Sequence, residues 1–229
     1  MSKYAIIVAG GSGTRMQSDI PKQFMLLNGK PVLMHTIEVF TQCAFPVEIF
    51  LVLPENHIEF WNQLCTAYSF MVPHQVVKGG NSRCDSVNNG LAMIKTKEGL
   101  VAIHDGVRPL VSVEIIEASF YKAETSGNAV ASVALKDSIR SVREDKNEAL
   151  PRSQFRLMQT PQTFELNLIK KAYLNANKEV EFTDDASVLE SIGGEINLIN
   201  GSYDNLKITT PEDLLIASAI LSNRENPKN

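Results

Sequence analysis

The sequence predicts one Rossmann-like α/β domain over residues 1–229, with a mostly parallel central sheet flanked by helices and a protruding β-arm at about 136–157. Three observations carry that prediction. "YAIIVA" (4–9), "VEIFLVLP" (47–54) and "LVAIHDG" (100–106) are short apolar runs rich in Val and Ile, the pattern of strands buried on both faces. Helical segments of ten or more residues separate such strands, which implies right-handed βαβ units. Between 136 and 160 this alternation loosens into polar, charged sequence.

In chain order, Asn28-Gly29 marks a tight turn, and Pro31 opens a helix, "PVLMHTIEVF", in which Leu33, Ile37 and Phe40 share a face. "IEFWNQLCTAY" belongs to the next helix and "HQVVKGG" to a short strand. A helix over about 82–95 aligns Val87, Leu91 and Ile94, and "SVEIIEASFYKAE" forms another. "KDSIRSV" and "LPRSQF" are predicted as exposed strands around the charged turn "REDKNEA"; an arm leaving the core and an ordinary surface hairpin both fit. "ELNLIKKAY" is predicted helical, and "TDDASVLESIG" is predicted as a helix with Thr183 as N-cap and Gly193 as stop. "INLING" and "NLKIT" are predicted strands, and "TPEDLLIASAILS" is predicted as a helix capped by Thr210 with Pro211 first. No internal repeat or low-complexity linker divides the chain.

The 229 residues are 44% hydrophobic, enough for a sizeable core, and the net charge of −4 argues against a general basic surface for nucleic acid. An anionic ligand must then be caught by a few placed Arg and Lys side chains. Cys43, Cys65 and Cys84 are far apart with no C-x-x-C, which favours reduced thiols over a disulfide framework or a zinc site. The first apolar run is too short for a signal sequence or a membrane span, and no other run is long enough. The expectation is a soluble, cytoplasmic protein that engages no membrane.

The chemistry starts at "AGGSGTRMQSDIPKQF" (9–24), a glycine-rich turn after the first strand. Such a turn lets backbone N–H groups approach a phosphate closely. The G-x-x-x-x-G-K-[ST] loop is absent, and the dinucleotide fingerprint starting at Gly11 reaches Met16 where its third small residue belongs. Arg15 and Lys22 flank the turn, a planar fork of donors and a mobile point charge, with Pro21 stiffening the approach to Lys22. Each alone reads as a solvated surface cation. Together beside this loop they suit a triphosphate whose charge grows during phosphoryl or nucleotidyl transfer.

At these residues the chain resembles the sugar-phosphate nucleotidyltransferases, and "PKQF" narrows the resemblance to the cytidylyltransferases. It continues in order through "GGNSRCDSV" (79–87), "HDGVRP" (104–109), "LKDSIR" (135–140), "QTPQTF" (159–164), "TDDASVLE" (183–190) and "DNLKITTPEDL" (204–214). With these seven blocks the whole chain is similar to the 2-C-methyl-D-erythritol 4-phosphate cytidylyltransferase family of the non-mevalonate isoprenoid pathway.

The resemblance implies that CTP donates CMP to the phosphate of methylerythritol phosphate, that pyrophosphate leaves, and that magnesium or another divalent cation assists. Arg15 and Lys22 then stabilise charge around the α-phosphate. Ala9, Gly10, Gly11, Ser12, Gly13, Gly80, Asn81 and Ser86 hold the nucleotide, Asn81 standing where the family often has Asp. Asp105 ends a central strand, where open α/β sheets place their ligands, and is expected both to hold magnesium and to contact the acceptor. Arg108, Arg152 and Lys207 match acceptor positions, as does Ser138 in place of a usual threonine, and Thr183 and Thr209 match hydroxyl positions on the substrate or nucleotide side. A homodimer is implied in which each arm, with Arg152, reaches the partner's site. Read without the resemblance, Arg152 is a hairpin charge, Lys207 an edge-strand gatekeeper, His104 a packed residue, and Thr183, Asn81 and Ser86 helix-start caps.

Two other readings stand beside this one: a ribitol-5-phosphate cytidylyltransferase, which departs from "TDDASVLE" after the first acidic residue, and a non-catalytic nucleotide sensor on the same fold.

Overall fold

The computed structural model describes residues 1–11, 20–144, 146–177 and 180–225, the last without its side chain. In chain order it contains β1 (Lys3–Val8), β2 (Leu26–Leu27), β3 (Lys30–Pro31), α1 (Val32–Phe40), β4 (Glu48–Leu53), α2 (Glu55–Ala67), β5 (Gln75–Lys78), α3 (Arg83–Met93), β6 (Leu100–Asp105) and α4 (Val113–Ser126). The chain continues through β7 (Asn128–Ala134), β8 (Ile139–Arg143), β9 (Lys146–Leu150), β10 (Arg156–Glu165), α5 (Leu166–Asn175), α6 (Asp185–Glu190), β11 (Leu198–Asn200) and α7 (Pro211–Glu225).

Seven strands form one sheet in the order β11-β7-β10-β6-β1-β4-β5. All neighbours are parallel except β10, which runs antiparallel to both β6 and β7. The sheet is therefore mostly parallel, as the buried apolar runs predict. The reversal at β10 follows from its connection: the chain leaves β7 into the β8–β9 hairpin and returns beside β7, a step that needs no crossover helix.

Alternation along β1 divides the core. Ala5 and Ile7 face a cluster with Ile37, Phe40, Trp61, Ile116 and Phe120, from α1, α2 and α4. Tyr4, Ile6 and Val8 face the opposite cluster with Val87, Leu91, Ile169 and Val188, from α3, α5 and α6. Each layer is closed by helices whose apolar stripes the periodicity had placed correctly.

Several local expectations need correction. The second hairpin strand is "KNEAL" (146–150), assigned above to the turn; "RSQ" at Arg152–Gln154 is a 3-10 turn instead of strand. The β8–β9 pair forms its own two-stranded antiparallel sheet. Thr183 does not cap α6: Asp184 does, accepting from the Ser187 backbone in a capping box. "NLKIT" is an irregular segment joined to the rest through Ile208 N–H to the Val107 carbonyl. The Asn28-Gly29 turn joins β2 to β3 with both residues at positive φ, 47° and 82°, as a primed hairpin turn requires.

Candidate active site

After β1 the chain continues to β4 and β5 on one side, then crosses back to place β6 on the other. The crevice between diverging connections lies beyond the carboxyl ends of β1 and β6, where doubly wound sheets bind ligands. Val8 and Asp105, the last residues of those strands, are register partners. The Ala9 N–H bonds to the Val52 carbonyl and the Gly79 N–H to that of Leu53, which brings the glycine loop and the 79–82 segment to the same edge.

There a cleft of about 250 Å³ opens, lined by Ala9, Gly10 and Gly11, by Lys22 and Gln23, by Gly79 through Arg83 with Ser86, and by Asp105 and Lys207. Gln23 is buried and donates to the Ala9 carbonyl at 2.9 Å, fixing the start of the glycine loop. Lys22 sits in the 3-10 turn Lys22–Phe24, only 8% exposed, and a Cβ added at Gly11 would lie 3.7 Å from its Cε.

The 79–86 segment is shaped by a helix start. Ser82 caps α3 in a capping box with Asp85, and the Gly80 N–H donates to Ser86 Oγ at 3.1 Å. The turn is tight enough that a Cβ at Gly80 would stand 2.2 Å from Asp85 Cβ. Gly80→Ala must therefore push the capping box out of place. We expect stability to fall by about 1 kcal/mol, the scale of a lost cap, and CTP affinity to fall by about tenfold, the scale of one misplaced donor. Isothermal titration with CTP checks this.

Asp105 is the electrostatic centre. Its carboxylate meets Lys207 Nζ at 3.0 Å, Arg108 Nε at 3.3 Å and Arg83 Nε at 3.8 Å. Burial opposes its charge, but Lys207, Arg83 and Arg108 outweigh burial and hold the carboxyl well below the ordinary carboxylate range. Arg83 is fixed from behind. Its guanidinium forms a two-pronged bond with Asp185, at 3.0 and 2.7 Å, and the Tyr173 hydroxyl donates to the same carboxylate at 2.6 Å. Burial works against the Arg83 charge, yet Asp185 more than compensates and keeps it firmly protonated. With Lys22, four cations face two carboxylates around the cleft, which makes it attractive to a polyanion.

The structure brings together Ala9, Gly10, Gly11, Lys22, Gly80, Asn81, Ser86, Asp105 and Lys207, with Arg108 bonded to Asp105 just behind. Arg15, Ser12 and Gly13 lie outside the described residues. Arg152 and Ser138 are exposed near the β8–β9 hairpin and do not line this cleft, and Arg152 donates to the Lys136 carbonyl. Thr183 is exposed and likewise not a lining residue. The Thr209 hydroxyl donates to Asp213 at 2.7 Å at the start of α7, and Thr209 does not line the cleft. Arg83, Asp185 and Gln23 were not singled out from the sequence.

Asp105 does not fit a protein-built magnesium cage. Among the described residues no group of three or more His, Cys, Asp or Glu could hold a metal, and the one carboxylate at the cleft is already matched by three cations. Magnesium prefers several hard oxygen ligands, which a triphosphate supplies and this carboxylate alone does not.

Behind Asp105, His104 is completely buried, and burial lowers its pKa to about 4; Arg108 and Lys207 push the same way while Asp105 opposes them. The ring of Phe40 covers its edge at 5.3 Å. The unfolded chain takes up this proton below about pH 6.5, whereas the folded one does so only near 4. Stability is thus undiminished above pH 6.5 and falls as the pH drops toward 4, by at most about 1.4 kcal/mol per pH unit for this one group. Urea unfolding across that window should show the decline, and His104→Gln should reduce it, leaving the share of His57, whose pKa burial also lowers, and near pH 4 those of Asp105, Asp213 and Glu114, whose carboxyls are held below their ordinary range.

These features define an α/β protein with a cationic cleft at the carboxyl ends of parallel strands. A family model described as 2-C-methyl-D-erythritol 4-phosphate cytidylyltransferase matches residues 4–223. The chain belongs to that family. Relatives carrying this name include those of Bacteroides thetaiotaomicron, 46% identical over 96% of this chain and all of theirs, and Porphyromonas gingivalis, 47% identical over 96% of this chain and 98% of theirs. Among solved structures, the 4-diphosphocytidyl-2C-methyl-D-erythritol synthase of Anaerococcus prevotii superposes with a TM-score of 0.83 at 28% identity, over 96% of both chains. The Francisella tularensis 2-C-methyl-D-erythritol 4-phosphate cytidylyltransferase does so at 0.80 and 32%, over 96% of this chain and 99% of that one. Among the described residues no helix is long and apolar enough to cross a membrane.

Proposed function

We propose that the chain transfers CMP from CTP to 2-C-methyl-D-erythritol 4-phosphate, forming 4-CDP-2-C-methyl-D-erythritol and pyrophosphate. The observation that carries this reading, for a member of this family, is the Asp105–Arg108–Lys207–Arg83 cluster facing the glycine loop across one cleft. A phosphate oxygen of the acceptor attacks the α-phosphorus in line, the new P–O bond forms, and the bond from the α-phosphorus to the bridging oxygen of pyrophosphate breaks. The acceptor brings an ionised nucleophile, so the protein's part is positioning and charge stabilisation.

Lys22, with Arg15, meets the charge that gathers on the α-phosphate in the transition state. The backbone at Ala9, Gly10 and Gly11 (with Ser12 and Gly13 beyond) and the Gly80, Asn81 and Ser86 groups hold the nucleotide. Ser86 Oγ already accepts from Gly80, which leaves its O–H to donate to the base. Lys207, Arg108 and Asp105 receive the acceptor. Arg152 and Ser138 lie off this cleft, and we place them in a homodimer in which the β8–β9 arm of one protomer completes its partner's site. Asp105 serves to array the cations; a divalent cation would be held by the oxygens of the triphosphate and would supply charge neutralisation there. Thr183 and Thr209 have no role in this assignment.

Pyrophosphate release from CTP, with methylerythritol phosphate and ribitol 5-phosphate as parallel acceptors, tests the reading. Release with the first acceptor is expected. Release with ribitol 5-phosphate alone moves the enzyme to a different polyol phosphate, and silence with both despite CTP binding leaves a nucleotide sensor.

A further inference from the structure

The acceptor side of the cleft rests on a closed ring of buried side-chain and backbone groups in which His104, Thr160 and Asn205 have no role assigned above. His104 Nε2 lies 3.2 Å from the Arg108 carbonyl, which can only accept, so Nε2 carries the imidazole proton. Nδ1 is then the acceptor, and the Thr160 hydroxyl donates to it at 3.0 Å. The same hydroxyl oxygen accepts the backbone N–H of Asp105 at 3.0 Å. On the far side the Thr160 backbone carbonyl accepts from Asn205 Nδ2 at 2.8 Å, and the Asn205 backbone carbonyl accepts from Arg108 Nη1 at 2.7 Å. The chain of contacts returns to Arg108, where it began. His104 and Asn205 are wholly buried and Thr160 nearly so.

The ring ties together three stretches that are distant in sequence: the turn after β6, the middle of β10 and the loop before α7. The first and third carry the charged groups of the cleft, and the second, through Thr160, braces the backbone of Asp105. Asp105 follows His104, Arg108 is a ring member, and Lys207 stands two residues beyond Asn205. Ile208 N–H to the Val107 carbonyl at 2.9 Å closes the same loop onto the turn. A neutral His104 is what the ring needs, because an imidazolium would turn Nδ1 into a donor facing the Thr160 proton. Its complete burial beside Phe40 favours that form and outweighs the Asp105 carboxylate and the Arg108 carbonyl, which favour the charged one.

We propose that His104, Thr160 and Asn205 are positioning residues for the transfer reaction: their hydrogen-bonded ring sets the aim of Asp105, Arg108 and Lys207 toward the acceptor phosphate. The inference rests on the functional reading above. A displacement of about 1 Å in such groups costs on the order of 100-fold in rate, although none of the three need touch substrate.

The test compares wild type with Thr160→Val, which keeps the shape and removes the hydroxyl, and with Thr160→Ser, which restores it. We expect Thr160→Val to lower kcat at least about tenfold and to raise KM for methylerythritol phosphate, with KM for CTP within about twofold of wild type; Thr160→Ser should recover most of the loss. Asn205→Ser serves as the second variant if Thr160→Val does not fold, with the same split expected. A second readout needs no turnover: the ¹⁵N shifts of His104 should report a neutral Nε2–H tautomer in wild type at pH 7. Unchanged kinetics in the folded variant, equal rises in both KM values, or an Nδ1–H tautomer would overturn the ring. A wild type that binds CTP but does not use methylerythritol phosphate would overturn the functional reading, and the tautomer measurement would still judge the ring.

Discussion

Replacing Lys22 by alanine is expected to lower kcat by about 10²–10³-fold, the usual cost of removing one donor aimed at developing charge, while CTP binding weakens by less than about tenfold. Its side chain is held beside Gly11 at the entrance of the cleft by the 3-10 turn that follows Pro21. A cation so confined is already in place when charge accumulates, so it gains more from the transition state than from bound CTP. The ground state, in contrast, is also held by backbone donors and by the cations around Asp105. Single-turnover rates set beside CTP dissociation constants measure the difference. Equal losses in both would make Lys22 an ordinary binding residue.

The largest stability effect is expected at Asp185. This carboxylate is fully buried and accepts both prongs of Arg83 and the Tyr173 hydroxyl. Asp185→Asn leaves the guanidinium with only the more distant Asp105 as counter-charge and offers one carbonyl oxygen where two carboxylate oxygens stood. Breaking a buried pair from one side costs about 3–5 kcal/mol, which urea unfolding would show as a large fall in midpoint with little change in slope. The double change Arg83→Met with Asp185→Leu removes both charges, and most of the stability should return. Activity should not return, because Arg83 also lines the cleft and lies 3.8 Å from Asp105. Recovery of both together would reduce the pair to a structural strut.

The parallel strands were legible because burial on both faces writes a continuous apolar run, as in "YAIIVA", where alternate residues feed two separate core clusters. β7, "NAVASVA", was not recognised as a strand, since its small residues carry little apolar signal; it is buried because α4 and β10 press on it. β10 hid for a different reason. Its Gln and Thr side chains look like loop chemistry, yet in the fold they are bonded one by one: Thr160 to His104, Gln162 to Asp184 and Thr163 to Ser119.

The site divides along the same line. Glycines, an arginine and a lysine in one short stretch announce a phosphate site from sequence. Arg83 and Asp185 announce nothing, being 102 positions apart and each plausible as a helix-start residue; only the packing of α3 against α6 makes them a pair. Lys207 matched an acceptor position only through the resemblance and read alone as an edge-strand gatekeeper; the structure shows "NLKIT" as an irregular loop that carries its Nζ to 3.0 Å from Asp105.

The most direct test of a single displacement within this cleft is stereochemical. CTP made chiral at the α-phosphorus with sulfur is turned over with methylerythritol phosphate, and the configuration of the product is read. In-line attack by the acceptor phosphate, with Lys22 and the Asp105 cluster supplying charge only, predicts inversion. Retention would require two displacements and a nucleotidylated side chain, and would contradict direct transfer.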